Sequence, residues 1–289
     1  MAVWLITGSS RGLGRAIAEV VLAAGERAIL TARNPASLET LVEQYRGQAI
    51  ALPLDVRERT QAFWVVENAV AQGYIPTVLV NNAGYGLVGA LEELSPESIL
   101  RQVETNFLGV VWMCQAVIPH LRAEGGGYIF NVSSIAGYYG FKGVSLYNAT
   151  KFAVTGLSEA LAQELSRWNI YVANVAPGPY RTDWAGSSLE KSQALATLDT
   201  QSPYYELNAA MAERYAAMDG RQPGDPAHIG RVLLDCVRKG WAPMHIILGD
   251  EARETWDRYE MLRVFPMLQF IGHGRDEVKR PSAGETSGR

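Results

Sequence analysis

Cysteine is nearly absent. Cys114 and Cys236 stand far apart, each in an apolar, helix-like context, so neither a disulfide framework nor a thiolate zinc site is expected, and a reducing compartment fits. Histidine is equally sparse. His120, His228, His245 and His273 have no metal-ligand spacing, and no metal is expected. No apolar run approaches the ~20 residues of a membrane span. No basic block occurs before the last few residues, and the formal net charge is −4, so nucleic-acid binding has no electrostatic footprint. The N-terminus lacks a basic segment, and its first apolar residues, Val3 to Ile6, run straight into a glycine-rich turn. Cleavage of a leader would destroy that turn, so a cytoplasmic protein is expected.

What is present is a large hydrophobic fraction, 48%, against 19% charged residues. That balance suits a chain able to bury a large core. Residues 2–7 form a short continuous apolar run, the pattern of a strand covered on both faces. Similar runs recur at 28–32, 49–54, 77–80, 128–132, 170–175 and 244–248. Between them lie helical periods at 15–24, 37–45, 60–72, 95–121, 147–167 and 226–239, and Pro119 is expected to end or kink the fourth of these. Ser95 fits an N-cap, Pro96 the first helical position, and Glu97 the helix dipole. This alternation predicts an α/β fold, a doubly wound parallel sheet of about seven strands with helices on both faces. The strand rhythm stops at 180–226, where helical stretches are expected at 188–198 and from Ser202 to Met218. A last helix is expected at 252–268. Residues 273–289, rich in glycine, serine and charge, are expected to be disordered, leaving 1–272 as a single domain.

Two stretches carry chemistry. The first runs Thr7-Gly8-Ser9-Ser10-Arg11-Gly12-Leu13-Gly14 between a strand and a helix. Gly8 permits a tight or left-handed turn, Gly12 lets the main chain approach a ligand, and Gly14 lets helix and strand pack closely. Amides at the helix start suit a pyrophosphate, although the spacing is not the usual G-x-G-x-x-G. The second stretch runs from Ser133-Ser134 to Lys151. Tyr147 and Lys151, four apart near a helix start, share one face. A phenol, an ammonium and a hydroxyl at a strand end point to proton transfer on a carbonyl or alcohol oxygen.

The motifs Thr7-Gly8-x-x-x-Gly12-x-Gly14, Asn81-Asn82-Ala83-Gly84, Asn106, Ser134, Tyr147-x-x-x-Lys151 and Pro177-Gly178 occur in an order and spacing that resembles the short-chain dehydrogenase/reductase family. The resemblance covers roughly residues 1–250 and extends to bacterial relatives of steroid- and retinoid-type reductases. It implies a nicotinamide dinucleotide bound by Gly8, Ser10, Arg11, Gly12, Leu13, Gly14, Asp55, Val56, Asn82, Ala83, Gly84, Tyr147, Lys151, Pro177, Gly178 and Thr182. It further implies Tyr147 as general acid/base, with Lys151 lowering the phenol from its ordinary pKa near ~10. Ser134 would hold the substrate oxygen, with Ser133 the competing serine, and Asn106 would position a water in a proton relay.

The expected acidic position at the end of the second strand is Ala32, followed by Arg33, and Arg11 lies in the glycine turn. Without a carboxylate for the ribose diol, and with two guanidinium groups for a phosphate, NADP(H) is expected rather than NAD(H). Segment 180–226 would form a substrate lid. Its Trp184, Leu189, Leu195, Tyr204 and Tyr205, with Tyr85, Tyr138, Tyr139 and Phe141, would wall a pocket for a bulky hydrophobic carbonyl or alcohol. A small-residue stripe, Ala149, Ala153, Gly156 and Ala160, suits a homodimer or homotetramer. A non-catalytic NADP(H)-sensing module and an epimerase or dehydratase stand as the alternatives.

Overall fold

The computed structural model describes residues 1–184, 186 and 188–259. In chain order the elements are β1 (Val3–Ile6), α1 (Gly12–Ala23), β2 (Arg27–Ala32), α2 (Glu39–Gln44), β3 (Ala49–Pro53), α3 (Arg59–Ala71), β4 (Val78–Asn81), β5 (Gly86–Val88), α4 (Pro96–Val103) and α5 (Gly109–Ala123). They continue with β6 (Gly127–Val132), α6 (Ser145–Leu165), β7 (Ile170–Pro177), β8 (Leu189–Lys191), α7 (Gln193–Thr197), α8 (Tyr205–Met218), α9 (Pro226–Lys239), β9 (His245–Leu248) and α10 (Asp250–Tyr259).

Seven strands form one parallel sheet in the order β3-β2-β1-β4-β6-β7-β9. Alternate residues of each strand point to opposite faces, and both faces are covered. Trp4 and Ile6 join Ile17, Val21 and Phe130 with Ile229 and Leu233 on the α1/α9 side. Leu5 and Ile29 join Val65, Met113 and Val117 on the α3/α5/α6 side. That two-sided burial is why the strands read as continuous apolar runs. The strand order turns back between β1 and β4, so the loops after these two strands open a crevice at their carboxyl ends, where such sheets take ligands.

Two local expectations are corrected, and a third is only partly covered. The 95–121 helix is interrupted by a π-helical turn, Glu104–Leu108, and then runs on to Ala123 with Pro119 inside it. Proline forfeits one helical hydrogen bond, but fully buried Val117 and Leu121 hold the helix against the sheet on either side. Residues 188–198 are not one helix. Leu189–Lys191 is β8, paired in parallel with β5, and Ser192 then caps the short α7 through its Oγ, which accepts from the Leu195 amide at 3.2 Å. The edge of β5 offered backbone partners that a helix there would have left unpaired. The expected helix at 252–268 is described as far as Tyr259. The rest of it, and the expected disordered tail, lie outside the described residues.

Segment 180–226 is tied down at its far side by two carboxylates of one turn. Glu93 accepts from Ser202 Oγ and from Asn208 Nδ2 (2.9 Å), and Glu92 accepts from Tyr204 OH (2.7 Å).

Candidate active site

The glycine turn follows β1 because the strand must reverse into α1 within a few residues. Gly8 (φ +67°) and Gly12 (φ +58°) both take left-handed backbone, which glycine adopts without steric cost. A Cβ on Gly14 would lie 2.4 Å from both the Gly8 carbonyl oxygen and Asn82 Nδ2, so only glycine lets the helix sit this close. Asn82 locks the turn to the loop after β4. Its Nδ2 donates to the carbonyls of Thr7 (2.9 Å) and Gly8 (3.2 Å), while Thr7 Oγ1 accepts from the amides of Asn82 (2.9 Å) and Ala83 (3.0 Å).

Among the described residues no side chain caps the N-terminus of α1, where Arg11 is the N-cap. A helix start left open in this way presents its first amides and the positive end of its dipole to an anion. Thr182 faces it across the cleft: its Cβ lies 3.6 Å from where a Cβ on Gly12 would stand. The cleft extends from Arg11, Arg33, Asp55 and Val56 at one end, past Gly8, Ser10, Gly12, Leu13, Asn82, Ala83 and Gly84, to Ser134, Tyr147, Lys151, Pro177, Gly178 and Thr182. Its volume is about 640 Å³. Gly14 is not on its wall; it is buried behind, as a packing residue.

The arginine-rich end holds a residue that the sequence reading missed. Arg57 lines the cleft and clamps Asp55, Nη2 to Oδ2 at 2.6 Å. This bond holds the Asp55 carboxyl below the usual carboxylate range, with Arg33 adding to the effect. The i, i+2 spacing of the pair was the available signal. Ala32 lines the same end, and no carboxylate occupies its position.

At the other end, Tyr147 and Lys151 come from the first two turns of α6, and Ser134 from the end of β6. Tyr147 is buried. Burial pushes its phenol up to about 12, against the opposing hydrogen bond with Ser134. Lys151 is buried too, and the desolvation of its ammonium brings it down to about 8. Its Nζ donates to the Val132 carbonyl at 2.8 Å and stands 5.7 Å from the centroid of the Tyr147 ring. The expected lowering of the phenol by this lysine is not seen: burial raises it, and the hydrogen bond with Ser134 is what opposes the rise. At neutral pH the tyrosine keeps its proton, which suits it to give one to an oxygen.

The two serines divide. Ser134 Oγ accepts from the Ala136 amide (3.1 Å) and lies on the cleft, whereas Ser133 Oγ points behind it and donates to the Lys151 carbonyl (3.0 Å). Asn106 is not on the cleft wall, and its side chain is engaged elsewhere. Its Nδ2 donates to the Tyr85 carbonyl (2.9 Å) and its Oδ1 accepts from the Tyr85 amide (3.1 Å), which fixes β5 to the π-helical turn. The side chain expected to help position a water is thus bonded to the Tyr85 backbone.

Of the expected substrate wall, Tyr85, Phe141, Trp184 and Leu189 line the cleft. Trp184 lies 5.5 Å from Tyr147, centroid to centroid, and 5.9 Å from Tyr215, an α8 residue that sequence patterning did not single out. A Cβ on Gly86 would stand 2.7 Å from the Trp184 ring, so the indole owes its place to that glycine. Tyr139 is not on the wall and packs edge-on against Phe141 at 5.1 Å. Leu195 is in the core, and Tyr204 and Tyr205 face outward. Tyr138 turns the opposite way. Its oxygen accepts from Asn174 Nδ2 (2.7 Å), which leaves its hydrogen for His245 Nδ1 at 2.6 Å. Asn174 Nδ2 also donates to Thr155 Oγ1 (3.1 Å), whose hydroxyl bonds the Lys151 carbonyl at 3.1 Å. A polar brace thus supports the catalytic face of α6 from behind. Among the described residues no group of three or more histidine, cysteine or acidic side chains is arranged to hold a metal ion.

Residues 2–193 match the family model for short chain dehydrogenases. The chain belongs to the short-chain dehydrogenase/reductase family. It is 37% identical over 253 residues to oxidoreductase BOA17 of Botryotinia fuckeliana, covering 87% of this chain and 90% of that protein. It is 32% identical over 245 residues to a 3-ketodihydrosphingosine reductase of Bacteroides thetaiotaomicron, covering 85% and 87%. A crystal structure of a short-chain dehydrogenase from Streptomyces avermitilis superposes with a TM-score of 0.85 at 32% identity, over 95% of this chain and 99% of that one. This family binds a nicotinamide dinucleotide, and the glycine cradle, the open start of α1 and the long cleft fit one. No helix among the described residues is long and apolar enough to cross a membrane.

Proposed function

We propose that this short-chain dehydrogenase/reductase interconverts a ketone or aldehyde and its alcohol with NADP(H), on a bulky hydrophobic substrate. The observation that carries this is one continuous cleft. It has guanidinium groups and no acidic residue in place of Ala32 at one end, and a buried, protonated tyrosine hydrogen-bonded to a serine at the other. A bound nicotinamide supplies or accepts the hydride at the carbonyl carbon. Ser134 holds the substrate oxygen, and Tyr147 gives it a proton. A phenol kept protonated by burial is the form that gives a proton in the reducing direction. Lys151, held in place by the Val132 carbonyl, carries charge beside the tyrosine and restores its proton.

Arg33 and Arg11 would bind the 2′-phosphate of NADP(H), an oxyanion suited to guanidinium groups. Arg57 keeps Asp55 neutralised beside them, which removes a carboxylate that would repel that phosphate. Trp184, Tyr215 and Phe141 would wrap the substrate body, with 180–226 as its lid. The Bacteroides relative, named as the reductase of a keto compound, supports the carbonyl class. The outer face of α6 supports a homo-oligomer: a Cβ on Gly156 would meet no atom within 4 Å, so a second helix has room to approach there. The reading places the protein in the cytoplasm.

The test is a panel of ketones, aldehydes and alcohols with NADPH/NADP⁺ and NADH/NAD⁺, followed by coenzyme absorbance. Turnover of hydrophobic members with NADPH in preference to NADH is expected. Coenzyme binding without net oxidation of any member would instead support a sensing module. Substrate conversion without net coenzyme consumption would indicate an epimerase or dehydratase.

A further inference from the structure

Among the described residues, two cations at the substrate end of the cleft have no carboxylate partner. Lys142, on the turn after β6, and Arg214, on α8, both line it. They belong to one seam. Met211, one helical turn before Arg214, packs against the residue after Lys142: a Cβ on Gly143 would stand 2.9 Å from Met211 Cε. Arg214 is near enough to the Tyr215 phenol to oppose the rise that burial gives it. The remaining arginines at mid-cleft and at the coenzyme end include two that are neutralised, Arg57 by Asp55 at 2.6 Å and Arg101 by Glu190 at 2.5 Å. No ion pair among the described residues includes Lys142 or Arg214. The other carboxylates of the cleft, Asp183 and Glu251, form no ion pair with either cation.

The path from the chemistry to these cations is apolar. The Tyr147 ring is followed by Trp184 and then by Tyr215, in steps of 5.5 and 5.9 Å, and Arg214, the residue before Tyr215 on α8, also lines the cleft. We propose that the substrate is amphipathic: a carbonyl at Tyr147, an apolar body on Trp184 and Tyr215, and an anionic group at its far end against Lys142 and Arg214. This rests on the carbonyl–alcohol reading for its orientation. A desolvated aromatic wall ending in two unpaired cations recognises such a molecule by burial along its length and by charge-assisted hydrogen bonds at its end.

The test uses a medium-chain methyl ketone that ends in a carboxylate, and its methyl ester. Binding is measured by calorimetry on the full chain with oxidised NADP⁺ present, so that the arginines of the coenzyme end are not available to the acid. The acid is expected to bind about five- to tenfold tighter than the ester at low salt. That ratio should fall toward one at high ionic strength and in both Arg214→Gln and Lys142→Gln, each checked for an intact fold by thermal melting. The salt series on the unmodified protein gives the answer even where a variant fails to fold. An ester that binds as tightly as the acid at low salt overturns the proposal. Preferential binding of the acid with no reduction of its ketone by either coenzyme would instead sink the carbonyl–alcohol reading and leave the anion site standing.

Discussion

The two ends of the cleft are built differently. The coenzyme end is made of residues next to strand ends and is held by backbone geometry: Gly8 and Gly12 in left-handed conformations, Gly14 against a carbonyl, and Asn82 bonding two main-chain oxygens. The substrate end is made of side chains from segments far apart in sequence. Trp184, Leu189 and Tyr215 reach it from 180–226 only because β8 pairs with β5 and because Glu92 and Glu93 hold the segment down. The first end tolerates almost no change in shape and little in charge. The second can be re-walled by substitution in segments that do not carry the sheet.

The contrast can be broken or sharpened by substitution. The largest effect is expected at the junction of the two ends. Tyr147→Phe should lower kcat by about three orders of magnitude, within the range for loss of a general acid, while the NADPH dissociation constant stays within about twofold, the size of a lost surface contact. Steady-state rates beside a coenzyme fluorescence titration check this, and substantial residual turnover would remove Tyr147 from the chemistry. At the coenzyme end, Arg33→Asp should shift the NADPH/NADH preference by about ten- to a hundredfold, as expected when a charge-assisted bond is replaced by repulsion. Competing kcat/KM values for the two coenzymes measure it, and an unchanged ratio would refute Arg33 as a phosphate reader. At the substrate end, Gly86→Val should displace Trp184 and raise the KM for a hydrophobic ketone by about tenfold, the worth of a displaced aromatic contact. Coenzyme affinity should not move with it; if the two fall together, the ends are not separable.

The brace behind α6 serves both ends. Tyr138→Phe removes the hydroxyl shared by Asn174 and His245 and should cost about 1–2 kcal/mol of stability, seen as a lower Tm. The smallest effect is in pH dependence. Lys151 has its pKa lowered to about 8 in the folded protein, so between that value and its ordinary one the unfolded chain binds more protons and stability rises with pH. Below pH 8 both states are protonated, and the full penalty of the buried charge is present. Lys151→Met should therefore be more stable than the unmodified apoprotein at neutral pH. The gap should narrow from pH 8 upward, measured by chemical denaturation at fixed ionic strength. A constant gap would mean that the buried lysine does not titrate in that range.

Legibility followed the same divide. The seven parallel strands could be read from continuous apolar runs, because a strand buried on both faces has no polar side to confuse the pattern. Tyr147 and Lys151 share the cleft as their spacing on one helix requires, and both Ser133 and Ser134 line it, with the Ser133 hydroxyl spent on the Lys151 carbonyl. Asn106 was legible as a notable residue but not in its geometry, since nothing local says that a π-helical turn will spend its amide on Tyr85. Tyr138 and Tyr139 were misplaced because adjacent aromatics on an irregular loop have no periodicity from which to infer a direction.

By itself the sequence determined the sheet, the glycine cradle and the one-turn relation of Tyr147 to Lys151. Each depends on backbone conformation over a few residues, and backbone preferences are local. Only the tertiary structure decided that β8 is a strand, that burial raises the phenol and lowers the ammonium, and that Lys142 and Arg214 line one cleft. Pairing, desolvation and charge proximity depend on residues distant in the chain, and they exist only once the chain has folded.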